Sequence, residues 1–418
     1  MWRNKERRLA KLNEQLGKSL DDARKSGDAA HEALVLHYMG KSYEYMERFA
    51  DALECYGKSL SIARSAGNRS SEADSLRNLG AVHEHMERFE DALEYYKQSL
   101  EISRSTEDRA AETRILRQMG MVCEAARQFD DALEHYNQAM KIAKENGDRS
   151  GELGAMHRVG SVYALTERLA QALDIYRKCL SIEREAGDRA AELKTLHQMG
   201  TVCQKMIRLA DALEYYSESL RISREMGDKA SQAETLRQIG AVQEAMDCLD
   251  EALECYSESL AIVHEIGDLS REAEELHEIG SVYEDIGHHE HALGHFSESL
   301  EIQRKIGDRV REAGTLRKIG KVYQSTSRCE EALENYNRSL TIAREIGNRA
   351  GEARTLLHIG KVYEEMNRLE EALSCYRKSL EIDREIGHKA DEEEVMRAIE
   401  AASEKISEKK NKGTGINF

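Results

Sequence analysis

Eight of nine equivalent positions in this sequence carry an arginine or a histidine. Counted three residues back from a glycine that returns every 40 residues, they are His37, Arg77, Arg117, His157, His197, Arg237, His277 and Arg317, with Leu357 as the ninth. One residue further on stand Tyr38, Asn78, Gln118, Arg158, Gln198, Gln238, Glu278, Lys318 and His358. Cationic donors beside amides and mixed polar groups are the chemistry that grips the backbone and carboxylates of an extended peptide. Four residues past the same glycines glutamate dominates, at Glu44, Glu84, Glu124, Glu244, Glu284 and Glu364. The competing reading is that these charges pair across neighbouring helices and only solvate a face, since exposed pairs contribute about 0–1 kcal/mol. The face is not uniform. Met121, Ala125, Ala164 and Leu165 make it apolar in the third and fourth copies, where later copies carry Lys321, Asp285 and Glu365. An apolar patch inside a polar surface is a candidate hot spot. It would take a partner's hydrophobic anchor near Met121 and Leu165, with carboxylates on Arg77 and Arg117.

Other chemistry is thinner. His288, His291 and His295 are spaced to share a helix face, with His289 beside them, and His291 and His295 at i, i+4 could chelate a metal. No cysteine or carboxylate stands at the spacing a closed zinc site wants, so an exposed polar face is the plainer reading, and neither metal nor cofactor is expected. The eight cysteines contain no CxxC pair. They read as reduced thiols used as small packing residues. There is no phosphate-binding glycine loop, no HExxH and no nucleophile elbow, so no enzymatic activity is expected.

The charge balance of 61 basic against 78 acidic residues, net -17, disfavours nucleic acid and anionic lipid as partners. No run of 18 apolar residues is present, and the charged start, Met1 to Arg8, leads into no apolar signal core. A cytoplasmic location is expected, with no membrane association.

What positions these residues is a frame: Leu36-x-x-Met39-Gly40-x-x-Tyr43, then Ala52-x-x-x-Tyr56, repeated every 40 residues without insertion or deletion. A fixed period of this size marks a repeat array, in which each unit buries its apolar face only against its neighbours. Leu76, Leu79, Gly80 and His83 follow helical spacing, as do Ala92, Leu93, Tyr96 and Leu100. Each repeat is therefore two helices. Gly-Asp or Gly-Asn junctions, such as Gly147-Asp148, supply a left-handed end to one helix and a cap to the next. A following glutamate, as at Glu192 or Glu312, favours the helix dipole. Glu107-Asp108 lacks the glycine, and Gly387-His388 swaps the capping residue. Glycine in mid-helix costs about 0.5–1 kcal/mol, so its retention at the frame position implies that the paired helix leaves no space for a side chain. The frame tyrosine becomes His83, Cys123, Cys203 and Gln243 in four copies, which fill less apolar volume.

The motif Leu-x-x-[Met/Ile/Leu]-Gly-x-x-Tyr … Ala-x-x-x-Tyr resembles the tetratricopeptide repeat across residues 8–408. The 40-residue period, the absence of the terminal proline and the Gly-Asp-Arg junctions make it similar to the longer repeats of G-protein-signalling-modulator adaptors and, less closely, kinesin light chains. The adaptors carry C-terminal G-protein-binding motifs; residues 409–418 contain no room for one. The resemblance implies an all-α, right-handed α-solenoid of antiparallel helix pairs. Residues 1–28 would be a lead-in and half-repeat capping helix, 29–388 nine repeats, 389–408 a C-terminal capping helix with Met396 and Ile399 in frame, and 409–418 a disordered tail. It also implies that first helices line a concave groove, exposing residues six, three and two before each frame glycine and one, four and five after it. The function expected is a non-catalytic interaction scaffold binding a peptide or protein segment there. The alternatives are a regulatory sensor whose superhelix responds to a signal peptide or a regulated enzyme, or the accessory repeat domain of a larger signalling protein. Self-association through the array ends stays open.

Overall fold

The computed structural model describes residues 2–413, which form twenty helices and no strand. The chain begins with α1 (Trp2–Ser26), α2 (Ala29–Tyr45), α3 (Phe49–Ser65), α4 (Arg69–His85), α5 (Phe89–Ser105), α6 (Arg109–Ala125), α7 (Phe129–Glu145), α8 (Arg149–Leu165), α9 (Leu169–Ala186) and α10 (Arg189–Lys205). It continues with α11 (Leu209–Met226), α12 (Lys229–Ala245), α13 (Leu249–Ile266), α14 (Leu269–Ile286), α15 (His289–Ile306), α16 (Arg309–Ser325), α17 (Cys329–Glu345), α18 (Arg349–Glu365), α19 (Leu369–Ile386) and α20 (Lys389–Gly413). The helices group into two compact units that divide at Ile207/Arg208. Within each unit every helix packs on the next in sequence, the arrangement of an α-solenoid.

The frame glycine and the aromatic sixteen residues later are one device. A Cβ added at Gly40 would lie 2.5 Å from Cε1 of Tyr56, and at Gly120 2.5 Å from Cε1 of Tyr136. Gly240 meets Tyr256 and Gly280 meets Phe296 in the same way, each at 2.8 Å. The ring lies flat on bare backbone, and Tyr56, Tyr96, Tyr136, Tyr256 and Phe296 are fully buried in consequence. This close approach offsets what glycine costs the first helix. The second helix is pinned further by a buried serine. Ser99 Oγ donates to the Ala73 carbonyl at 2.7 Å, and Ser299 and Ser339 repeat the bond to Ala273 and Ala313.

Junctions between repeats behave as the Gly-Asp signature expects. Gly187 and Gly227 hold φ near +70°, and Asp188 accepts the Ala191 amide at 3.0 Å. At the third junction Glu107 adopts the same left-handed conformation, φ 55°, without a glycine. The glutamate of the first turn does more than meet a dipole. Glu192 is buried and accepts from Arg184 Nε at 2.9 Å and Arg189 Nη1 at 2.8 Å. Glu72, Glu112, Glu312 and Glu352 are clamped by paired arginines in the same way. Desolvation works to raise the Glu192 pKa, but the two guanidiniums outweigh it and hold it below the usual carboxylate range. The turn inside each repeat was not legible in the sequence. Glu47, Glu87, Arg127, Glu167, Asp247, Ser327 and Asn367 all sit at φ between 57° and 63°, and only Gly287 answers the same turn with glycine. Where the frame tyrosine and an arginine five residues on are both present, the guanidinium stacks over the ring, as Arg168 does over Tyr163 at 4.3 Å and Arg328 over Tyr323 at 4.4 Å.

The ends differ from expectation. Helix α1 begins at Trp2, so residues 2–7 are helical rather than a lead-in; Arg3, Lys5, Glu6 and Arg7 are good helix formers. Helix α20 runs through Gly413, so residues 409–413 of the expected disordered tail are helical too, and residues 414–418 lie outside the described residues. On α20 the fully buried side chains are Val395 and Ala402, and Met396 is 41% exposed. Ile399 is partly buried against the same cluster.

Candidate functional site

In the first unit the expected recognition residues fall into two groups. One group is occupied with itself. His37 Nδ1 lies 3.0 Å from the Asn78 amide, and Arg77 pairs with Asp74 at 3.3 Å. His157 bonds Gln198 through Nδ1 at 3.2 Å and Glu183 through Nε2 at 2.8 Å. The two histidines thus reach the side chain two before the next glycine, whereas Arg77 pairs within its own helix. Tyr38 is 51% exposed with its ring edge-on to His37, and His197 is half-buried beside Gln198.

The second group lies on α6 and α8. Arg117 has no ion pair or hydrogen bond among the described residues; its Nη1 reaches across to α8, 2.9 Å from where a Cβ on Gly154 would stand. Gly154 leaves room for this guanidinium. Met121 and Ala125 follow Arg117 along α6 at i+4 and i+8, the spacing of one helix face. Met121 packs half-buried on the cluster that contains Val159 and Val162 of α8, and Ala125 is exposed. Leu165, at the C-terminal end of α8, is 55% exposed. Arg158 spans back to Glu124 at 3.9 Å. Gln118 Oε1 is buried with no hydrogen bond among the described residues. This is a two-helix face with an unpaired cation near one end and apolar side chains near the other.

The glutamates four past the glycine are largely spoken for. Tyr56, Tyr96 and Tyr136 donate their hydroxyls to Glu44, Glu84 and Glu124 at 2.8–2.9 Å, and Tyr256 and Tyr376 donate to Glu244 and Glu364. In the fourth repeat the acid is Ala164, and the Tyr176 hydroxyl has no hydrogen-bond partner among the described residues. Its pKa is pushed up to about 12 by burial, with Cys179 and Glu124 adding to it.

The second unit offers a different surface. Arg237 pairs with Glu234 at 2.7 Å, and Gln238 donates to the same carboxylate at 3.1 Å. A cleft of about 540 Å³ beside them is lined by Arg237, Glu244, Glu278 and Asp285, an acidic set. Burial raises the Glu278 pKa, and the Glu244 charge raises it further. His277 bonds the Thr315 hydroxyl at 3.0 Å. Arg317 is half-buried without an ion pair among the described residues, and burial followed by the Arg354 charge lowers its pKa. His288, His291 and His295 gather around the Tyr283 ring, with centroids 6.2, 5.3 and 5.5 Å away. They form an aromatic stack rather than converging on one point.

Three buried carboxylates outside the arginine clamps, Glu183, Glu275 and Asp383, were not anticipated. Glu183 is fully buried and accepts from the Thr195 hydroxyl at 3.0 Å as well as meeting His157. Glu275, 1% exposed, accepts from Ser259 at 2.8 Å, and burial pushes its pKa up to about 8. A comparison of copies carries a signal for the first: the position of Glu183 is alanine, serine or valine in six of the others.

Helix pairs on this frame define a class of protein, and the family model for the tetratricopeptide repeat matches residues 71–145, 152–225, 231–305 and 311–385. The chain belongs to the tetratricopeptide repeat family. Among solved structures it is similar to aspartyl phosphate phosphatase F from Bacillus subtilis, with 16% identity over 82% of this chain and 92% of that one and a TM-score of 0.54. It is also similar to the apo form of RapI, with 18% identity over 66% of this chain and 99% of that one and a TM-score of 0.52. At these identities the likeness is one of fold. No curated protein matches the chain. Among the described residues no helix is long and apolar enough to cross a membrane.

Proposed function

We propose that the protein is a non-catalytic interaction scaffold and that the α6–α8 face is where it holds a segment of a partner protein. The observation that carries this is Arg117: a half-buried guanidinium without a carboxylate among the described residues, on the same helix face as Met121 and Ala125, with the strongly exposed Leu165 at the C-terminal end of α8. In most other repeats the charges at these registers are engaged by their neighbours. A partner segment would place a carboxylate on Arg117, where a bidentate charge-assisted bond is available. It would seat an apolar anchor against Met121, Ala125 and Leu165. Eight residues of helix separate Arg117 from Ala125, roughly 12 Å, so the anchor and the acid belong about two helical turns apart in a helical segment or three to four residues apart in an extended one.

The test is selection from a peptide library that varies the spacing between one acidic and one large apolar residue, with affinities read by fluorescence anisotropy. Selected peptides should lose at least tenfold in affinity with Arg117→Glu and with Leu165→Asp, and replacing the peptide's acid by lysine should recover binding to Arg117→Glu. Peptides that bind wild type and both variants equally would sink the proposal.

A further inference from the structure

The last repeat junction departs from a rule that the others keep. After the left-handed glycine the chain normally places aspartate or asparagine, whose oxygen accepts an amide three residues on: Asp28 from His31, Asp308 from Arg311, Asn348 from Gly351. After Gly387 stands His388, a poor helix cap. Its Nδ1 lies 3.8 Å from Oδ2 of Asp391, one turn into α20. In the last turn of α19 is Asp383, 1% exposed. One Asp383 oxygen is 3.5 Å from the Ser379 hydroxyl, at the limit of a hydrogen bond, and Oδ1 has no hydrogen-bond partner among the described residues. Donor atoms of Asp383, His388 and Asp391, one from each, lie within 4.8 Å of one another. Among the described residues no other three histidine, cysteine or carboxylate side chains meet that condition, the histidines around Tyr283 included.

We propose that Asp383, His388 and Asp391 form a zinc site that fastens α20 to α19. An imidazole with two carboxylates is a donor set that zinc accepts, whereas magnesium and calcium favour oxygen alone. A tetrahedral zinc with donors about 2.0–2.1 Å away holds them roughly 3.4 Å from each other. The 3.8 Å between His388 and Asp391 therefore closes by side-chain rotation. The backbone between the ligands is already set, because the His388 amide donates to the Asp383 carbonyl at 3.0 Å. His388 and Asp391 are 47% and 40% exposed, which leaves a route for the ion and a fourth position for water. Asp391 also faces Arg354 at 3.7 Å, the cation that partly offsets two neighbouring carboxylates. A dication would neutralise both acids and give Asp383 Oδ1 the partner it lacks.

The experiment is calorimetric titration of the untagged 418-residue chain with zinc chloride, together with thermal melts with and without the ion. One zinc per chain should bind and raise the melting temperature. His388→Ala and Asp391→Asn should each weaken binding at least tenfold. Asp383→Asn should do the same while melting no lower than wild type without zinc, because it removes a buried charge. A double variant, His291→Ala with His295→Ala, should keep the full response. Zinc binding that survives His388→Ala, that disappears in the double variant, or that magnesium reproduces at equal concentration would overturn the site. His388 is half exposed, so its replacement decides the question even if Asp383→Asn fails to fold.

Discussion

The fourth and seventh repeats, one in each unit, carry histidine at the same register and treat it in opposite ways. His157 meets a fully buried carboxylate, Glu183, at 2.8 Å. In the seventh repeat the position of Glu183 is Gln303, and His277 bonds only the Thr315 hydroxyl and tilts against Phe296, ring centroids 5.3 Å apart. Burial first, then the charges of Lys318 and Arg317, bring the His277 pKa down to about 4. The tyrosine–glutamate bond is broken in both repeats, again from opposite sides. Tyr176 faces Ala164, and Glu284 faces Phe296. Freed of a hydroxyl, Glu284 pairs with Lys318 at 3.3 Å and Lys321 at 2.6 Å. The lesson is that the frame fixes where rings and backbone lie, and the chemistry at each register is set by whether its partner is present.

The largest expected effect separates the two histidines. His157→Ala leaves the buried Glu183 carboxyl with only the Thr195 hydroxyl as a partner, and should cost about 3 kcal/mol. His277→Ala removes a neutral ring with one hydrogen bond and should cost about 1 kcal/mol. Urea unfolding of the two variants giving equal losses would break the comparison. Next is pH. A histidine whose folded pKa lies below its unfolded value of about 6.5 favours the native state fully above that value and loses the contribution as pH falls toward the folded one. With His277 at about 4, stability should fall on the order of 2 kcal/mol between pH 6.5 and 4.5. Gln303→Glu, by supplying the carboxylate of the fourth repeat, should raise the His277 pKa, which histidine proton shifts in an NMR titration would report. Smallest is repair of the ring–acid pair. Ala164→Glu should add about 1 kcal/mol by giving Tyr176 an acceptor. Phe296→Tyr should add less, because Glu284 is already held by two lysines. Melting temperatures that rank these two the other way would mean the lysine pairs contribute little.

Much of the fold was legible because the period is fixed: the frame glycine, its aromatic and the Gly-Asp junction each need one residue type at one place. The left-handed turn at Glu47 and its equivalents was not, since nothing but backbone geometry selects it and no glycine marks it. The site was legible as a face and not as a set of contacts. Spacing put His37, Arg117 and His157 on one register, but their partners Asn78 and Glu183 lie 41 and 26 residues away. Whether a side chain is free or engaged depends on what the neighbouring copy carries. Arg117 stood out only once Gly154 was seen opposite it. Spacing alone places the glutamate ladder on the groove wall and the tyrosine in the core, and does not show that the tyrosine hydroxyl reaches the carboxylate.

Side-chain bonds between repeats join near neighbours in sequence, such as His37 to Asn78 and Lys405 to Glu364, each 41 positions apart. Held at its two ends and stretched, such a chain bears tension in series, with no long-range strut to share the load. It should give way link by link, each event releasing about one 40-residue length, and close again in the same increments. The arginine clamps on Glu72, Glu112, Glu192, Glu312 and Glu352 then act as the stiffer couplings. The junction before the sixth repeat, where Gln232 replaces the glutamate and Lys229 one arginine, and that before the seventh, where His264 and Leu269 replace both arginines, are where the first slack should appear.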